Sequence, residues 1–228
     1  MIKNKFLSVI LLLLFLLTGC SLNENDTKTI EDKTKEEISY IEDKLLLVLN
    51  RYAKKEYGSN EEYNWDTINE DVLGLNNQLD TMILDFSELE ISNDEIINFR
   101  DGINALLIAA SNNDRILLLE CINDLYSKLP YYYSKTENNK NKVMQFELKS
   151  LVIGAYVKAE ELEWETSKNL IDAAENKYKD MMDDIDYMKE YKYNLNKVYI
   201  LLGELKNSIY SEEINLTKMK YINFIEKI

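Results

Sequence analysis

Apolar residues recur at alternating spacings of three and four along nearly the whole chain, the pattern of helices that bury one stripe each. Trp65, Ile68, Val72, Leu75, Leu79, Met82 and Phe86 form the longest uninterrupted series, and Ile38, Ile41, Leu45, Val48 and Tyr52 precede it. Gly58 suits a helix C-terminus and Ser59 or Asn60 the next N-cap, which places a turn between these two series. Ser92-Asn93-Asp94-Glu95 has capping-box spacing and opens a stripe of Ile96, Phe99, Ile103, Leu106 and Ala110. Ser111-Asn112-Asn113-Asp114 is a break and cap before Leu118, Ile122, Leu125 and Leu129, and Pro130 is expected to end that helix. Helical spacing resumes at Met144, Leu148, Leu151, Ala155, Ala159 and Leu162 and is expected to run unbroken through Trp164 to about Met182. Leu195 to Ile209 and Ile214 to Ile225 complete the set. The predicted fold is all-α, an antiparallel helical bundle or pair of bundles.

Comparing the chain with itself sharpens this. Glu61-Glu62-Tyr63-Asn64-Trp65-Asp66-Thr67 returns as Glu160-Glu161-Leu162-Glu163-Trp164-Glu165-Thr166, at an offset of 99 residues. The same offset pairs Leu49 with Leu148, Val72 with Ile171 and Met82 with Met181. It predicts a duplicated four-helix unit, residues 30–129 and 142–228, joined by a linker at 130–141. Both tryptophans, Trp65 and Trp164, are expected to be largely buried in matching settings, and they are the candidate aromatic lining of a cleft between the halves. The Trp-x₂-Leu-Gly-x₂-Tyr pattern of tetratricopeptide solenoids is absent.

The N-terminus carries the one motif with a definite chemistry. Lys3 and Lys5 precede an apolar run from Phe6 to Leu17, and Leu17-Thr18-Gly19-Cys20 closes it. A run of about twelve residues is too short to span a bilayer as a helix, which takes about 20. The segment resembles the lipobox signal peptide of bacterial lipoproteins. That resemblance implies removal of residues 1–19, diacylglyceryl attachment to Cys20, a polar tether over residues 20–29 and a location on the extracytoplasmic face of a bacterial membrane. It covers residues 1–20 and implies nothing about the remainder.

Charge and composition narrow the function. The chain has a formal charge of −14, which becomes −16 once Lys3 and Lys5 leave with the signal peptide. So acidic a surface repels phosphate backbones, which argues against nucleic acid and for a neutral or basic protein or peptide partner. With no histidine, Ser-His and Cys-His nucleophile arrangements are excluded. Glu160, Glu161, Glu163 and Glu165 read as a solvated helix face rather than a glycosidase pair. Asp180, Asp183, Asp184 and Asp186 lack calcium-loop spacing, so no metal site, cofactor site or catalytic residue is assigned. Cys121, at helical spacing with Leu118 and Leu125, reads as a buried, inert thiol. Tyr187-x₃-Tyr191 resembles a spacing of some Gram-positive haem-binding surface proteins, which carry it on a strand; on a helix the pair is expected to fill an interface.

Tyr131, Tyr132 and Tyr133 cannot all face one core if they follow a helix end, so this run is the candidate partner surface. The leading expectation is a non-catalytic, lipid-anchored interaction or accessory module. A ligand-binding lipoprotein with a cleft between its halves is the alternative, and a carboxylate-based hydrolase the third.

Overall fold

A computed structural model describes residues 29–53, 64–136 and 140–227, so Cys20, the tether and the Gly58–Asn60 turn signals lie outside the described residues. Among the described residues the chain is all-α, with eight helices. They are α1 (Ile30–Ala53), α2 (Trp65–Glu88), α3 (Asn93–Ser111), α4 (Arg115–Ser134), α5 (Lys140–Glu160), α6 (Trp164–Asp183), α7 (Ile185–Tyr210) and α8 (Ile214–Ile225). Each packs on the next in sequence, as short connections dictate. α1 closes on α4 and α5 on α8, giving two four-helix units. The units join through α4 with α5 and α1 with α8. These four helices form the centre, with α2 and α3 outside on one flank and α6 and α7 on the other.

Burial follows this layering. α2 buries the expected stripe Ile68, Val72, Leu75, Leu79, Met82 and Phe86 on one face. α5, covered from several sides, buries Phe146, Leu148, Val152, Ile153, Tyr156 and Val157 around its circumference. A Cβ on Gly154 would lie 3.2 Å from Asn123 Oδ1 on α4 and 3.4 Å from a Leu170 methyl on α6, so glycine lets three helices approach closely.

The turns obey capping chemistry. Ser92 and Glu95 make the expected capping box, and Asp114 accepts from the Leu117 amide. Asn64, not Ser59 or Asn60, caps α2, accepting from the Thr67 amide. Three junctions share one backbone device, with Asn113, Leu162 and Glu212 in the left-handed region at φ 57°, 63° and 57°. At the first, the Asp114 and Asn113 amides donate to the Ala109 and Ala110 carbonyls, a Schellman closure. Glu163 and Leu162 repeat it on Lys158 and Ala159, and Glu213 and Glu212 on Ser208 and Ile209.

Two of these features correct the sequence reading. The expected continuous helix from about 140 to 182 is broken at Glu161–Glu163, because Leu162 adopts the left-handed conformation that glycine or asparagine normally marks. Pro130 does not end α4, which continues through it to Ser134. The ring costs one backbone hydrogen bond. It is offset by burial of the following turn, where Tyr132 packs 5.2 Å from Phe86 and 5.3 Å from Phe99, and Tyr133 packs 5.1 Å from Phe146, ring centre to ring centre.

The 99-residue offset also relates helix boundaries and buried positions. It carries the first residue of α2 (Trp65) onto that of α6 (Trp164), the last of α3 (Ser111) onto that of α7 (Tyr210) and the first of α4 (Arg115) onto that of α8 (Ile214). Left-handed Asn113 falls on left-handed Glu212. Val72 and Ile171, Leu75 and Ala174, Met82 and Met181, Ile103 and Leu202, and Leu106 and Leu205 are pairs of buried residues. The units differ at one hairpin tip: α2 and α3 are joined by residues 89–92, whereas Asp184 alone separates α6 from α7. The tryptophans share a position but not the expected depth, since both are half-buried at helix N-termini.

Candidate functional site

The polar centre of the molecule lies where the two units meet. Glu160, the last residue of α5, has a side chain only 1% exposed. Its Oε1 accepts from Tyr156 Oη at 2.7 Å and pairs with Lys218 Nζ at 3.1 Å. Its Oε2 accepts from Tyr52 Oη at 2.9 Å and Arg115 Nη2 at 2.8 Å. Tyr52 comes from α1, Arg115 from α4, Tyr156 from α5 and Lys218 from α8, so one carboxylate ties all four central helices. Tyr221 stacks on Tyr156 with ring centres 4.0 Å apart. The expectation that Glu160 belongs to a solvated face is therefore corrected: α8 and α4 cover it, which a helical wheel of α5 and α6 alone does not reveal.

A second buried carboxylate, Glu42 on α1, makes a parallel link. It accepts from Tyr126 Oη and Lys149 Nζ, each at 2.9 Å, and pairs with Lys142 Nζ at 3.6 Å. Burial opposes its ionisation, but Lys149, Lys142 and the two hydrogen bonds outweigh that and hold its carboxyl below the ordinary value. Burial raises Tyr126 and Tyr156 well above an ordinary phenol, so both stay protonated as donors. Chemically these are anions with their lone pairs occupied. Neither carboxyl lines the cavities described below, while Glu161 and Glu163 pair with Lys158, and Glu165 with Lys168.

Glu37 on α1 is a different case. Burial, then repulsion and hydrogen bonding from the Asp85 carboxyl on α2, raise it from 4.5 to about 7. A raised acid binds its proton more tightly in the folded state, so it destabilises the fold as pH climbs from the unfolded value toward 7.

The other candidate residues separate. The tyrosine run is not one surface: Tyr132 and Tyr133 are 2% and 8% exposed and belong to the core, leaving Tyr131 at 38% with its hydroxyl donating to Glu95 Oε2. One turn of helix points its residues in three directions, two of them inward here. Trp65 and Trp164 do not line a cleft between the halves, because α2 and α6 lie on the outer flanks and α1, α4, α5 and α8 fill the seam. Cys121 is buried, and burial followed by Asp124 pushes its thiol up to about 11, as suits an inert residue. Asp184 caps α7 and pairs with Lys140. No group of three metal-ligating side chains converges among the described residues.

Two hollows are notable. An open groove of about 940 Å³ runs between the end of α4, the start of α5 and the start of α7. Its walls carry self-paired groups, Lys177 with Glu147 and Asn141 with Glu190. A smaller cavity of about 170 Å³ lies among α5, α6 and α7, and sequence reasoning missed it. Tyr187 and Tyr191, the spaced pair, stack at 4.7 Å along its wall. Comparison with protein-family models, curated proteins and solved structures finds no match to this chain.

Two outcomes are expected from this geometry. Glu160→Ala leaves Arg115, Lys218 and two phenols without their acceptor and should lower stability by about 3–5 kcal/mol in denaturant titration, against a change under 1 kcal/mol for exposed Glu165→Ala. Glu37→Gln should raise stability by on the order of 1 kcal/mol at pH 8, the half-buried position screening the full effect, and should give no gain at pH 4, where the native carboxyl is already protonated. Equal effects at both pH values would refute the Glu37 assignment.

Proposed function

We propose that this chain is a lipid-anchored module on the extracytoplasmic face of a bacterial membrane, without catalysis of its own, that presents its helical body to a neutral or basic protein or peptide. The observation that carries this reading is Leu17-Thr18-Gly19-Cys20 at the end of a short apolar run with a basic start. Acyl chains on one cysteine contribute about 0.8 kcal/mol per buried CH₂, so two or three hold a protein at a bilayer durably. No helix among the described residues is long and apolar enough to cross a membrane, so in this reading the lipid alone provides attachment.

The face that supports partner docking is on α2 and α3, in place of the tyrosine run. Leu73 and Leu84 on α2, and Ile97 and Ile108 on α3, are exposed, Leu84 at 67%. Within each helix the two are eleven residues apart, about three turns, and so lie on one side. Asp80 pairs with Arg100 at 3.1 Å and sets the antiparallel register, which brings Leu84 opposite Ile97 and Leu73 opposite Ile108. The offset places Asp172, Asp183, Asn196 and Asn207 at the corresponding sites of the second unit, so the fold does not require apolar residues there. Exposed Asp66, Glu70, Asp94 and Asp101 border the patch. Such a surface fits an amphipathic segment with an apolar ridge flanked by Lys or Arg.

Cys20→Ala in the full chain should abolish incorporation of a labelled fatty acid and move the protein out of the membrane fraction; retention with signal cleavage intact would reject the anchor. With Cys20 native, replacing Leu73, Leu84, Ile97 and Ile108 together by Asn should leave helicity and Tm nearly unchanged. The same variant should reduce in-cell crosslinking to a partner at least tenfold, and undiminished crosslinking would remove this face from the interface.

A further inference from the structure

We infer that the cavity of about 170 Å³ among α5, α6 and α7 is a binding site for a small aromatic compound of phenol to indole size carrying one hydrogen-bond acceptor. The inference is independent of the anchoring and docking readings.

The volume matches the class. An apolar protein cavity of about 150 Å³ stays dry and admits benzene. This one has a similar volume but a mixed lining: the rings of Tyr178, Tyr187 and Tyr191 with Met181, Leu195 and Val198 present aromatic faces and a thioether, and Gln145, Lys149 and Lys227 make it polar as well.

The duplication shows that the space is not inherent in the fold. Val198 corresponds to Phe99, whose buried ring packs against Phe86 and Tyr132 with centres 6.1 and 5.3 Å away. Helix α4 runs on to Ser134 and contributes Leu129, Tyr132 and Tyr133 to the core. Where the first unit holds a three-ring aromatic cluster, the second holds a hollow with tyrosines on its walls. A planar aromatic guest restores the packing that the first unit obtains from its own side chains.

The polar part of the lining is Gln145, Lys149, Lys227 and the hydroxyls of Tyr178, Tyr187 and Tyr191. Tyr178 donates to the Leu195 carbonyl at 2.8 Å, and Lys149 is committed to Glu42 at 2.9 Å. Tyr187 Oη accepts from the Gln145 amide at 3.4 Å, and its own O–H is the donor we assign to a guest. A phenolic or carbonyl oxygen on the ring satisfies it.

The test uses the full chain with p-cresol as probe and toluene as the ring without an acceptor, followed by ligand-observed NMR and thermal melting. p-Cresol should bind saturably at one site and raise Tm, with toluene weaker. Val198→Phe, which installs the side chain of the first unit, should melt at or above wild type without ligand and lose p-cresol binding at least tenfold. Tyr187→Phe should weaken p-cresol severalfold and leave toluene unchanged. If Val198→Phe does not fold, Val198→Leu, one methylene larger, should still weaken binding at least threefold. Absence of saturable binding to wild type, or unchanged binding to a folded Val198 variant, overturns the proposal.

Discussion

The buried Glu160 carboxylate constrains this fold more than any apolar contact. A carboxylate taken out of water loses hydration that only well-placed donors replace. Here Tyr52, Tyr156, Arg115 and Lys218 do so, one from each central helix. An apolar seam between the two units could slide by a turn at small cost, because leucine and isoleucine accept many neighbours. A fixed anion cannot, since a shift of one turn strands the charge and its donors together. Glu42 with Tyr126 and Lys149 repeats the constraint about three turns along α1, so the units are pinned at two points and their relative rotation is set. Buried ion pairs add little net stability compared with apolar packing. What they provide here is one docking geometry out of several.

That geometry holds together two four-helix units with shared and divergent features. The units share the starts of α2 and α6 and of α4 and α8, the Schellman turns at Asn113 and Glu212 and the inward-facing stripes. They diverge where the shared core imposes nothing. The outer face of α2 and α3 carries leucine and isoleucine where its counterpart carries Asp and Asn, and the second core is hollow where the first is filled by Phe86, Phe99 and Tyr132.

Much of this was legible in the chain itself. The three-four spacing determined the helices and the inward residues of α2 and α3, because burial of one stripe is a property of the helix alone. The Ser92–Glu95 box and Asp114 fixed two N-caps for the same local reason, and the 99-residue offset matched the starts of α2 with α6 and of α4 with α8. The proposed anchor likewise rests on Leu17 to Cys20 as a short linear motif, with no use of the fold.

Only the tertiary structure decided the rest. Leu162 turns the chain in a conformation that leucine ordinarily avoids, and nothing local marks it; the packing of α6 back onto α5 holds it there. Pro130 stays within α4 because the buried Tyr132 and Tyr133 beyond it outweigh one lost hydrogen bond. Glu160 looks like one acid among several in sequence and becomes the central anion only when α1, α4 and α8 arrive. In each case the deciding partner lies dozens of residues away, and a linear pattern records what a segment prefers on its own, not what covers it once the helices assemble.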